Sequence, residues 1–139
     1  MNYKSTKLFA TVVFLMASLC AFAQQPPQDD KEEQKQLDEM IEKQIDRYSD
    51  LLDLADWQIF YLDSIYHHDY AEMFDEIKQM SKARVGNADL YQQVQDKWSE
   101  QMYVAIRKVF DDEQWAKYLK SGAERDKKAR DKRAAKLNK

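Results

Sequence analysis

The sequence predicts an all-α protein: an elongated four-helix hairpin or bundle, paired as a dimer, with a solvated basic C-terminal helix. Three observations carry this. Among 139 residues there are only two Gly (Gly86, Gly122) and two Pro (Pro26, Pro27), too few for the tight turns of a β-sandwich or barrel. Between Gln28 and Val85 neither occurs, and apolar residues there recur every three or four positions, the period of a helix with one buried face. Finally, 34% of residues are charged and mean hydropathy is -0.82. That polarity excludes a multispan membrane protein while leaving room for one local apolar segment. The length suits a single domain. The absence of a glycine-rich loop excludes Rossmann and P-loop enzymes.

The first element is the apolar segment. Lys4 and Lys7 precede the run Leu8 to Leu19, which ends in Cys20-Ala21-Phe22-Ala23. A basic head, an apolar core and a small-x-small end describe a signal peptide cleaved after Ala23, so residues 1–23 are removed and the protein is periplasmic or secreted. A retained anchor is the alternative. Lipidation at Cys20 is disfavoured by Leu19, where a small residue is needed. After cleavage no cysteine remains, so stability must come from packing and not from disulfides. Residues 24–30 form a polar, proline-containing leader with the composition of a disordered segment.

The helices follow in residues 31–120. Leu37, Ile41, Ile45, Tyr48, Leu51, Leu52 and Ala55 predict helix one over 31–53, with Gln44 beside the stripe. Ile59, Leu62, Tyr66, Tyr70, Met73, Ile77 and Met80 predict helix two over 56–83, roughly 40 Å long. Val85-Gly86-Asn87 should stop it, with Gly86 taking the left-handed position and Asn87 capping the next helix. Tyr91, Val94, Trp98, Met102, Ala105 and Val109 predict helix three over 88–109. A fourth helix starts near Asp112 and gives Trp115, Tyr118 and Leu119 to the core. Long helices with narrow apolar stripes make thin bundles, and these commonly complete their core by pairing, which favours a homodimer.

Charge is segregated. Residues 29–76 hold 16 acids and 4 bases; residues 117–139 hold 10 bases and 3 acids. The basic tail, 121–139, has only alanines and Leu137 as apolar residues and reads as a solvated helix. Its charge suits weak contact with the acidic first helix or with an anionic surface. Nucleic acid is not an expected partner, since no aromatic is interleaved after Tyr118.

Two helix starts look alike. Leu54-Ala55-Asp56-Trp57-Gln58 runs into Ile59, and Phe110-Asp111-Asp112-Glu113-Gln114 runs into Trp115. In the second, Asp111 is an N-cap and Gln114 completes a capping box, while Phe110 and Trp115 form a hydrophobic staple. The first keeps the staple, Leu54 with Ile59, and keeps Gln58. Ala55 cannot cap, which leaves Asp53 or Asp56 to do so from a shifted start. Paired Leu-Thr-x-x-Gln starts in a small exported helical chain are the mark of the Spy/CpxP-type LTxxQ-motif proteins, and residues 30–120 resemble that family. Both motif threonines are replaced here, by Ala55 and Asp111, and Phe110 stands for the second leucine. The resemblance implies a curved four-helix hairpin that dimerises into a cradle. Relatives of this type include an ATP-independent chaperone, an inhibitor of an envelope stress sensor and metal-sensing proteins.

The remaining candidates are weighed by chemistry. His67 and His68 are adjacent on helix two and point about 100° apart, so they do not readily share one metal; Asp63–His67 and His68–Glu72 are i, i+4 pairs that need another chain to complete a shell. No nucleophile stands beside a base, and no cofactor is called for, so catalysis is not expected. Aromatic content says more: 13 Trp, Tyr and Phe follow Ala23. Tyr66, Tyr70 and Met73 share a face of helix two, while Tyr61 and Ile65 point nearly opposite. Together these five form the candidate client or dimer surface. The expected function is envelope-stress protection by ATP-independent holding of unfolded envelope proteins. A metal-responsive sensor and a structural partner of one envelope protein are the alternatives.

Overall fold

The structure, a computed structural model, describes residues 30–137. The expected signal peptide and all of the leader except Asp30 lie outside the described residues. The chain divides into two compact units, Met1–Glu33 and Gln34–Lys139. Of the first, only the opening helical turn at 30–33 is described; the hydrophobic core lies in the second.

Among the described residues every element is helical and there is no strand. The order is α1 (Asp30–Leu52), α2 (Asp56–Lys82), α3 (Ala88–Val109) and α4 (Asp112–Tyr118), then a π-helical turn (Leu119–Ala123) and α5 (Glu124–Leu137). No helix among the described residues is long and apolar enough to cross a membrane. On α1, Leu37, Ile41, Ile45, Tyr48 and Leu52 are buried, a stripe at four- and three-residue spacing. Leu51, expected in the core, is 43% exposed. One residue is a 100° rotation, and Leu52 already occupies the buried direction.

α2 meets α1 and α3 along different faces, each in antiparallel register. His67 lies against Asp38, whereas Asp69 bonds Gln101 and Glu76 bonds Trp98 across to α3. One cluster joins the α1 stripe to Leu54, Leu62 and Tyr66, to Met102, Ile106 and Val109 of α3, and to Phe110 and Tyr118. Ile41, Leu52, Leu62 and Ile106 are fully enclosed, each contributing about 1.5–3 kcal/mol by burial. Ile106 lies outside the set that the periodicity picks for helix three.

The helix ends depart from expectation at three positions. α2 stops at Ala83, and Arg84 takes the left-handed position (φ 55°), not Gly86. The amide of Val85 reaches back to the Met80 carbonyl at 3.1 Å, closing the six-residue C-terminal loop before the glycine is reached. Asp53 (φ 52°) plays the same part after α1, with Leu54 N–H bonding Ser49 O at 3.3 Å. Asp53 therefore ends α1 and does not cap α2. The N-cap of α2 is Ala55, which makes no side-chain cap bond. Asn87 caps α3 as expected, accepting from the Asp89 amide at 2.9 Å.

The fourth helix is short. After Tyr118 the chain widens into the π turn, where Gly122 has φ 125°, a conformation that L side chains rarely adopt. This bend redirects the basic tail. Among the described residues the tail lies against α3. Arg133 donates from Nε and Nη2 to Asp96 at 2.6 and 2.7 Å. Arg130 reaches Glu100 at 3.2 Å, and Lys127 meets the same carboxylate. Arg130 also stacks over Tyr103, and its side chain is only 11% exposed.

Candidate functional site

The two repeated helix starts face each other. Gln58 and Gln114 are the third residues of α2 and α4, and both are buried. Gln58 Nε2 donates to Gln114 Oε1 at 2.6 Å, and Gln114 Nε2 donates to Gln58 Oε1 at 3.0 Å. Each Oε1 also accepts its own N-cap amide, from Ala55 at 3.0 Å and Asp111 at 3.1 Å. Each Nε2 also donates to the end of the helix preceding the other start, to Val109 O at 2.9 Å and Leu52 O at 3.4 Å. Every donor and acceptor of both amides is used, as burial requires. The result is a quasi-twofold clasp locking two helix–helix corners together. At the second corner Asp111 adds the cap, accepting from Gln114 N at 2.8 Å. At the first, the Gln58 amide is left to the Ala55 carbonyl, at 2.8 Å.

The staples sit beside the clasp. Leu54 and Phe110 are buried, whereas Ile59 and Trp115 are half-buried against the core. Trp115 continues into an aromatic set with Tyr103 (4.9 Å between ring centres) and Tyr118 (5.2 Å), and Tyr118 meets Tyr48. Burial pushes the Tyr48, Tyr66, Tyr70 and Tyr118 phenols up, Tyr70 to about 12.

The residues named for a client or dimer surface divide. Tyr66 and Met73 are buried, and Tyr70 is half-buried against the core, so these three are interior. Ile65 is half-buried, and Tyr61 is 54% exposed. Tyr61 stands within a larger feature: Trp57 and Phe60 are 56% and 66% exposed, and both pack edge-on against Tyr61 at 6.2 and 5.8 Å. Residues 57, 60 and 61 follow i, i+3, i+4 spacing, a second apolar stripe that marks them in the sequence too. Three large aromatics exposed together form a ridge along the first turns of α2.

The ridge separates two grooves. Toward α3, Trp57, Tyr61 and Ile65 line a shallow apolar groove with Ala105 and Val109, bearing one cation, Lys108. Toward α1, Phe60, Ile59 and Ile45 line a wider one, about 570 Å³, together with His67 and five carboxylates, Asp38, Glu42, Asp46, Asp56 and Asp63.

The histidines part company. His67 Nδ1 approaches Asp63 at 3.1 Å, and its Nε2 lies 3.6 Å from Asp38. His68 bonds the buried Asp69 at 2.8 Å, and this hydrogen bond raises its pKa above 6.5. Asp69, which no sequence pattern marks, receives Gln101 Nε2 from α3 as well. Among the described residues no group of three or more His, Cys, Asp or Glu could hold a metal ion. No family model matches the chain, and no curated protein or solved structure matches it.

Proposed function

We propose that this is an exported, helical holding protein of the Spy/CpxP type, binding non-native envelope proteins weakly and without ATP. The observation that carries this reading is the exposed ridge Trp57–Phe60–Tyr61 beside two open grooves. A folded domain gains nothing in its own stability by leaving three neighbouring aromatics in water, so such a patch marks a contact surface. Large amphipathic rings also tolerate many apolar sequences, as a holding protein requires. The two Leu/Phe-x-x-x-Gln corners support the family resemblance, since their glutamines meet in one clasp. Pairing of two copies into an elongated bundle belongs to the same proposal.

The test is light scattering. Modest molar excess of the protein should suppress aggregation of a heat-stressed or reduced client without ATP, and Trp57→Ser with Tyr61→Ser should weaken suppression while leaving the melt cooperative. Absence of suppression, together with sub-micromolar binding of a transition metal, would replace this reading with a metal-responsive sensor.

A further inference from the structure

We infer that the ridge selects client segments that are cationic as well as apolar; the inference rests on the holding function and adds a charge rule to it. The ridge has one strongly charged side. Glu42 and Asp46 of α1 and Asp56 of α2 are exposed on the α1 groove beside Phe60, and no cation pairs with them among the described residues. Asp38 and Asp63 flank His67 on the same groove. The α3 groove offers only Lys108 against this excess. A chain laid over Phe60 with Lys or Arg beside its apolar residues would satisfy these carboxylates while burying ring surface. An acidic chain of equal hydrophobicity would meet like charge.

The alternatives on the molecule fit less well. A second copy docking symmetrically through this ridge would bring together two faces of the same negative sign, each with five carboxylates against one lysine. The chain's own cationic helix is already engaged, with Arg133 on Asp96 and Arg130 on Glu100. The occupant assigned to the ridge is therefore a basic, apolar, unfolded segment of another protein.

Calorimetric titration with two unstructured peptides tests this, one alternating Leu with Lys and one alternating Leu with Glu, against the protein as its host processes it. The Lys peptide should bind about tenfold more tightly at low salt, and 0.5 M NaCl should compress the difference. Glu42→Lys with Asp46→Lys, both exposed positions, should invert the preference while circular dichroism stays unchanged. Equal affinities, or a preference that charge reversal leaves untouched, would overturn the charge rule and leave the holding function standing. Suppression of aggregation with neither peptide bound would overturn the ridge as the site. Sedimentation showing a dimer that Trp57→Ser dissociates would assign the ridge to a second copy instead.

Discussion

At the residue scale, the helix ends show which positions are optimised and which are not. Asp111 supplies a side-chain cap where Ala55 supplies none. Asp111→Ala should lower stability by about 0.5–2 kcal/mol, and Ala55→Thr should raise it or leave it level, since the backbone already has the extended N-cap conformation. Paired thermal melts decide both, and a destabilising Ala55→Thr would place the start of α2 elsewhere. Arg84 is the complementary case. It holds φ 55° in an exposed turn, where a Cβ costs roughly 1 kcal/mol, so Arg84→Gly should gain a few tenths of a kcal/mol up to about 1 kcal/mol in a denaturant titration. Gly86→Ala should be close to neutral, because Gly86 has open space around it and no positive φ.

At the scale of elements, the helix limits were legible because their signals are local. The predicted spans 31–53, 56–83 and 88–109 differ from α1, α2 and α3 by no more than one residue at either end. Apolar period, Asn87 and the Asp111 box act within four residues of the boundary they set. The clasp was not legible. Gln58 and Gln114 are 56 residues apart, and two capping boxes in a sequence do not say that their amides meet. Because the pair is buried and saturated, removing one side strands the other: Gln58→Ala should cost about 1–3 kcal/mol. Gln58→Ala with Gln114→Ala should cost less than the sum of the single changes, which a double-mutant cycle of urea melts would measure. The exposed ridge was half legible for a different reason. Tyr61 stands out as opposite to the main stripe, but Trp57 reads as part of a helix start, and Phe60 joins them only when the 57, 60, 61 spacing is taken as a second stripe. The tyrosines give a second test at this scale. Burial raises the Tyr70 phenol to about 12, with Tyr48, Tyr66 and Tyr118 raised as well. Raised folded values mean that their contribution to stability is whole below the ordinary 10.0 and lost as pH climbs from there toward 12. Absorbance at the tyrosinate band should therefore gain these four phenols only together with loss of helical ellipticity. Their ionisation ahead of unfolding would contradict the enclosed core.

At the scale of the molecule, charge segregation is resolved within the chain, though not between the segments the sequence suggested. The basic tail takes partners from Asp96 and Glu100 of α3, a helix whose neighbourhood is balanced in charge. Two features that sequence counts do not reveal explain this. Gly122 and the π turn set the direction of α5, and Tyr103 offers a ring for Arg130 and Lys127 to cover. Docking by exposed and half-exposed ion pairs should be weak and salt-sensitive, each pair being worth up to about 1 kcal/mol. Asp96→Asn, which removes the bidentate partner of Arg133, should make α5 exchange its amide hydrogens faster than in the wild type, with α1 and α2 unaffected. Raising NaCl from about 0.02 to 0.5 M should do the same to the unaltered protein, as screening shortens the reach of each charge. Truncation after Gly122 should lower the melting temperature at low salt, and the gap to the full chain should narrow as salt rises. A gap that stays constant would mean that cover over Tyr103, not charge, holds the tail, and Tyr103→Ala should then release α5 where Asp96→Asn does not.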